Sequence, residues 1–230
     1  MSKTKSPQDQ SRPTHTVEDY LMTMHVLERD YGEIIPARLA DMLGVAPPTV
    51  TMTLKRMERD HWITGTGRKA VHFTEVGRAA AQSVTRRHML TEWLLVKILK
   101  VPLYETHTEA HNIEHAISPQ LEERMADVLG HPKTCPHGNP MPGYESVVSK
   151  LVPLTELAEG EAVIIRRIHE FGEDNHELLK FLVENGAMPG TQIKVTQILP
   201  FNQTVSITAA NNSITLGFPA ARFIFTERVR

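Results

Sequence analysis

A chain of 230 residues, 40% hydrophobic and 23% charged, has room for two small domains or one with appendages, in a composition ordinary for a soluble globular protein. No apolar run approaches the roughly 20 residues needed to cross a bilayer, the start MSKTKSPQDQSRPTH lacks a secretory core, and a lone cysteine, Cys135, excludes an internal disulfide framework, so a cytoplasmic protein with no membrane partner is expected. The formal net charge of −2 withholds a global nucleic-acid signature; the anomaly is 12 histidines, which invite a search for metal ligands.

Residues 1–15 read as a disordered, slightly basic tail. Over 16–31, Val17, Tyr20, Leu21, Met24 and Leu27 recur at helical spacing, and Gly32 closes the helix. Pro36 suits the first turn of a short helix carrying Leu39 and Leu43. Gly44 makes a turn, and Pro47 and Pro48 open a second helix that buries Val50, Leu54 and Met57. Helix, glycine turn, helix is the helix-turn-helix pattern. Residues 61–64 and 70–73 then look like two short strands around Gly65-Thr66-Gly67-Arg68-Lys69, a wing with a basic tip. A long helix is expected over 74–99, with Val76, Ala79, Ala80, Val84, His88, Leu94 and Ile98 supplying its spacing, followed by helices over 104–116 and 119–129. The segment 131–143 is too rich in proline and glycine for regular structure. Beyond 149 the pattern changes to short strands, 162–168, 192–198, 204–208, 213–217 and 221–225, with one helix over 177–185, suggesting a small β-barrel.

With Val50, Leu54 and Met57 facing inward, the opposite face of the second helix carries Pro48, Thr49, Thr51, Met52, Lys55, Arg56 and Arg59. Its amino-terminal end suits the major groove. The threonines suit base edges, Met52 offers only apolar contact, and Lys55, Arg56, Arg59, Arg68 and Lys69 suit phosphates. The bland alternative is a solvated face used for protein contacts. The basic wing favours DNA.

His107, His111, Glu114 and His115 stand at i, i+4, i+7 and i+8, one stripe of a helix that is polar where an amphipathic helix would be apolar. His88 and Glu92 form an i, i+4 pair on the preceding long helix, and Asp19 sits on the first. Three helices offering imidazoles and carboxylates toward a common interior build one or two metal sites. A single helical histidine is usually structural, but so many at helical spacing favour metal. His111-Asn-Ile-Glu-His115 also spells H-x-x-E-H, a zinc-peptidase motif, which a histidine-rich chain produces easily.

These stretches, Val17-Glu18-Asp19-Tyr20-Leu21, Arg56-Met57-Glu58-Arg59-Asp60, Arg87-His88-Met89-Leu90-Thr91-Glu92, Glu109-Ala110-His111-Asn112-Ile113-Glu114-His115 and above all Cys135-Pro136-His137-Gly138-Asn139-Pro140-Met141-Pro142-Gly143, resemble the diphtheria toxin repressor family, including its iron-dependent and manganese-transport branches. The resemblance implies an α+β chain: a winged helix-turn-helix (16–74), a helical metal-binding and dimerisation domain (75–148) and an SH3-like β-barrel (149–230). It implies a regulatory metal site of Asp19, His111, Glu114 and His115, and an ancillary site of His88, Glu92 and His107. Barrel ligands would join the ancillary site, Asp174 and Glu177 falling nearest and His176 competing. His111 stands where iron-type members carry cysteine and manganese-type members glutamate, whereas Asp19 matches the manganese type. Met52 replaces a polar residue of the iron-type repressor.

The implied function is a non-enzymatic, homodimeric repressor of manganese or iron uptake genes that binds a palindromic operator when metal-loaded. Two imidazoles and two carboxylates suit manganese(II) first and iron(II) next, with zinc, cobalt or nickel able to bind in vitro. An ion that favours the DNA-competent arrangement raises DNA affinity, and DNA raises metal affinity equally. Asp19→Ala or Glu114→Ala is expected to keep the fold and lose the metal response. Nothing suggests an organic cofactor. The alternatives are a zinc metallopeptidase, with Glu114 as base, and a metal-independent winged helix regulator.

Overall fold

The computed structural model describes residues 12–67, 70–209 and 212–229. It divides into two compact units, one up to Val84 and one from Thr85 onward. Most of the expected tail falls on residues 1–11, outside the described set, as do the wing residues Arg68 and Lys69.

In the first unit, α1 (His15–Tyr31), α2 (Pro36–Leu43) and α3 (Pro47–Arg59) follow the apolar spacing closely. Leu21, Met24, Leu27, Leu39, Val50, Leu54 and Met57 are buried together with Ile63 and Trp62. Prolines at the first turns of α2 and α3 forgo a donor that no helix satisfies there, and Gly32 and Gly44 end α1 and α2 in left-handed geometry, at φ 76° and 63°. The strands β1 (Ile63–Thr64) and β2 (His72–Phe73) pair antiparallel, and an isolated bridge between Ile34 and Val71 widens the base of the wing.

The helix α4 (Glu75–Lys97) begins against that wing. The Thr74 hydroxyl donates to the His61 carbonyl at 2.7 Å, and its oxygen accepts from the Gly77 amide at 3.0 Å. A Cβ on Gly77 would lie 1.8 Å from the Trp62 carbonyl oxygen, so only glycine fits. Along α4, of the residues that set the expected spacing, Val84 and His88 are buried. Ala81, Val84, Met89, Leu90 and Leu95 are buried, while Val76 and Ile98 are 40% and 54% exposed and Ala79 faces solvent.

The second unit holds the rest of α4, then α5 (Leu103–Ile113) and α6 (Pro119–Leu129). Met89, Leu90, Ile117, Met125, Ala126, Leu129, Cys135 and Met141 form one core there. The expected helix over 104–116 is not uniform: Glu114–Ala116 tightens into a 3-10 turn. After the proline-rich loop come β3 (Val152–Pro153), β4 (Ala162–Ile168), the short α7 (Glu170–Glu173), α8 (His176–Glu184), β5 (Gln192–Leu199), β6 (Thr204–Ala209), β7 (Asn212–Gly217), α9 (Phe218–Ala221) and β8 (Ile224–Arg228). The strands make an antiparallel SH3-like sheet in the order β3-β8-β4-β5-β6-β7. Alternate residues, among them Val163, Ile165, Ile193, Val195, Val205, Ile207, Ile214, Leu216 and Ile224, point into a second core.

The strand expected over 221–225 begins three residues late. Pro219, near the start of α9, starts a helical turn that takes Ala221, so pairing resumes at Ile224. The strand β3 and the helix α7 were not anticipated, being too short to show periodicity. Among the described residues no helix is long and apolar enough to cross a membrane.

Candidate metal centres and nucleic-acid face

The histidine stripe divides between two groups of donors. His107 and His111 both lie on α5 before the 3-10 turn at Glu114, one turn or about 6 Å of rise apart, and reach different groups of donors: His107 joins one, and His111, Glu114 and His115 make another. In the latter, Glu114 is fully buried, with His111 Nδ1 at 3.5 Å and His115 Nε2 at 3.6 Å from its Oε1. Its other oxygen accepts from His88 Nδ1, and Arg87 donates to its backbone carbonyl at 3.1 Å. Asp19 belongs to the first unit, half-buried on α1.

Electrostatics make Glu114 a committed anion. Burial would raise its pKa, but hydrogen bonds and attraction from His111 and His88 outweigh this and bring it to about 2. Conversely, burial would lower His88, but Glu114 and Glu92 hold it at about 9. A carboxylate enclosed this way and bonded to an imidazole is poorly placed to activate water as a peptidase base.

The other group gathers on Glu92. This side chain is fully buried, and neither of its oxygens has a hydrogen bond of good geometry. Instead His137 Nδ1, His88 Nε2 and His107 Nδ1 stand 3.3, 3.4 and 3.6 Å from Oε1. Burial works against its charge, but the three imidazoles, His137 foremost, hold the carboxyl well below its ordinary pKa. His107 Nδ1 also lies 3.0 Å from Glu173 Oε2, and His107 Nε2 lies 3.2 Å from Asp174 Oδ1. Against the cost of burial, Asp174, Glu173 and Glu92 hold the His107 pKa well above its usual value.

The separations around Glu92 fit a shared ion, whereas Asp174 meets the far nitrogen of His107 and orients its ring. Two donors bound to one first-row metal by bonds of about 2.1 Å, at tetrahedral or octahedral angles, lie about 3.0–3.5 Å apart. Protons on buried imidazoles now supply the positive charge that a divalent ion would bring.

Of the expected barrel contributors, Asp174 reaches His107. Glu177 is exposed on the first turn of α8, outside every such group among the described residues. His176 instead faces the Tyr104 carbonyl at 3.1 Å.

Three participants escaped the sequence reading. Glu173 sits at the end of α7, and Cys135 and His137 come from the proline-rich loop. That loop is a built turn. The Cys135 amide donates to the Asn139 carbonyl at 2.8 Å, and Trp93 Nε1 donates to the Thr134 carbonyl at 2.6 Å. Buried Asn139 ties the turn to the barrel, donating to the Ile168 carbonyl at 2.7 Å and to Glu173, and accepting from Arg167. Gly138 passes so close to β4 that a Cβ would sit 1.9 Å from the Arg166 carbonyl oxygen. A cysteine and a histidine two apart were the available signal. Burial, then Glu92 and Glu173, push the Cys135 thiol well above its ordinary pKa, so in the absence of a cation it stays protonated.

On α3, Pro48, Thr49, Thr51, Met52, Lys55, Arg56 and Arg59 are all exposed, Met52 by 73%. Arg59 is engaged by Asp60 at 3.0 Å, leaving Lys55 and Arg56 more open to an anion. Glu58 on the flank of α3 accepts from the Gly65 and Thr66 amides at 2.8 and 3.2 Å and so sets the wing against the helix.

Comparison with known proteins matches three family models in succession: an iron-dependent repressor N-terminal DNA-binding domain over residues 13–71, an iron-dependent repressor metal-binding and dimerisation domain over 74–143, and a FeoA domain over 152–228. The iron-dependent repressor IdeR of Mycobacterium leprae is 35% identical over 93% of this chain and 97% of its own length. The diphtheria toxin repressor of Corynebacterium glutamicum is 30% identical over 93% and 96%. Among solved structures, a manganese-dependent transcriptional repressor in complex with manganese superposes with a TM-score of 0.80 at 26% identity, covering 93% of this chain and all of that one.

Proposed function

This chain belongs to the diphtheria toxin repressor family of metal-dependent transcriptional repressors, and we propose that it represses metal-uptake genes when loaded with manganese(II) or iron(II). The observation that carries the reading is the buried Glu114 carboxylate, faced by His111 and His115 and held as an anion by His88. Oxygen and imidazole donors without a thiolate suit a hard or borderline ion. The resemblance supplies Asp19 as the fourth donor, and an ion held by all four favours the DNA-competent arrangement. The ancillary ion falls to His88, Glu92 and His107, with Glu173 as the barrel's ligand and Asp174 orienting His107 from its far nitrogen.

Dimerisation has a candidate surface. Leu94, Leu95, Ile117, Met125 and Leu129 floor an apolar groove rimmed by Leu99 and Val128, which are 61% and 74% exposed. Such a contiguous patch marks an interface rather than a stable surface. A dimer presents two copies of α3, which suits a palindromic operator read in successive major grooves.

The test is a DNA-binding titration of the full chain against the promoter of a neighbouring metal-transport gene. It is run in chelator, with manganese(II), and anaerobically with iron(II). Binding only with metal supports the reading, and Asp19→Ala should abolish that dependence while unfolding like the parent. Equal binding in chelator would refute it.

A further inference from the structure

The ancillary donors do not stop at one ion's worth. On one side of Glu92 lie His88 and His107, with Asp174 on the outer nitrogen of His107. On the other lie His137 and the Cys135 sulfur, 4.0 Å from His137 Nδ1. Two carboxylates serve both sides. Glu92 Oε1 is near-equidistant from His88, His107 and His137. Glu173 divides its oxygens, Oε2 lying 3.0 Å from His107 and Oε1 3.5 Å from His137. A carboxylate with one oxygen toward each of two donor groups has the disposition of a bridging ligand.

We propose that Glu92 and Glu173 bridge two divalent ions, one in a nitrogen–oxygen lobe completed by His88 and His107, with Asp174 orienting the His107 ring from its far nitrogen, the other in a thiolate lobe completed by Cys135 and His137. The proposal rests on the reading that the ancillary cluster takes metal, and extends it from one ion to a dinuclear centre.

Burial supports it. Glu92, His137 and Cys135 are all essentially inaccessible, and both Glu92 oxygens lack a well-formed hydrogen bond. A purely structural role would satisfy those oxygens. The lobes differ in softness: the thiolate lobe favours zinc, cobalt or iron(II), the nitrogen–oxygen lobe tolerates manganese(II). The centre therefore reads the identity of the metal as well as its amount.

The experiment is an anaerobic titration of the full-length protein with cobalt(II) and, separately, manganese(II). It is followed by near-ultraviolet absorption, bound-metal analysis and electron paramagnetic resonance. Cobalt should produce a sulfur-to-metal charge-transfer band. Two cobalt ions should give a spin-coupled pair, whereas manganese should fill the nitrogen–oxygen lobe alone and show no coupling. Cys135→Ser should lose the band, the coupling and one equivalent of metal, and Glu173→Gln should weaken the coupling while retaining the band. Absence of the band from the parent protein overturns the proposal without recourse to any variant. So does a Cys135→Ser protein that binds as much metal as its parent. If metal-dependent DNA binding persists under either result, only the dinuclear centre falls. If no metal binds at all, the regulatory reading falls with it.

Discussion

Glu114→Gln keeps the shape of a buried side chain and removes the charge that holds a proton on His88. The rise of His88 from 6.5 to about 9 corresponds to about 3 kcal/mol of stabilisation in the metal-free protein. Since the folded-state value lies above the unfolded one, that stabilisation is complete below about pH 6.5 and drains away as pH rises through 9. His107 and His137 are raised too and deepen the same loss. On the acid side Glu114 itself, at about 2, contributes stability that is present above about pH 4.5 and lost as pH falls through 2.

Metal-free protein should therefore be most stable between about pH 4.5 and 6.5 as far as this cluster is concerned. Because Glu92 shares the hold on His88, Glu114→Gln should cost about 1–2 kcal/mol at pH 6 and nearly nothing at pH 9.5. Urea unfolding in chelator at a series of pH values reads this directly. A parent profile that is flat from pH 6.5 to 9.5, or a variant that falls as steeply as its parent, would refute the reasoning. Glu114→Ala, expected from the sequence to keep the fold, should cost more than Glu114→Gln, because it also leaves a cavity at a fully buried position. Asp19→Ala is the cleaner probe of metal response.

Gly77→Ala should destabilise the first unit by about 3 kcal/mol or more, since the methyl group would collide with the Trp62 carbonyl and force α4 off the wing; an unchanged melting temperature would contradict it. Asn139→Ala should cost the second unit about 2–4 kcal/mol, measured by urea unfolding, because it leaves buried Arg167 and Glu173 without their shared partner. Lys55→Ala and Arg56→Ala should each weaken DNA binding about equally on specific and unrelated sequences and lower the slope of log affinity against log salt by about 1. A selective loss on the operator alone would instead assign them to base reading.

The winged helix was legible in the sequence because its signals are local. Prolines at helix starts, glycines at helix ends and an i, i+4, i+7 apolar spacing act within one or two turns, and α1, α2 and α3 begin and end within a residue or so of where those signals place them. The alternation of apolar residues likewise marked β4 to β7, because a half-buried strand shows its two faces residue by residue. Of the residues that gave α4 its spacing, Val84 and His88 are buried while Val76 and Ile98 are exposed, since spacing marks a helix without saying which face its neighbours cover.

The donors split along the same line. His88 with Glu92, and His111 with Glu114 and His115, are neighbours within one or two turns, so sequence alone determined that they could act together. Tertiary structure decided which group each served. Packing against different elements sent His107 and His111, one turn apart on α5, to different groups, and the fold of the 131–143 turn onto β4 brought Cys135 and His137 to Glu92. Glu173 arrives from a four-residue helix with no periodicity to announce it. Periodicity reports a residue's neighbours on its own helix or strand, whereas a metal centre is assembled across elements, and only packing brings those together.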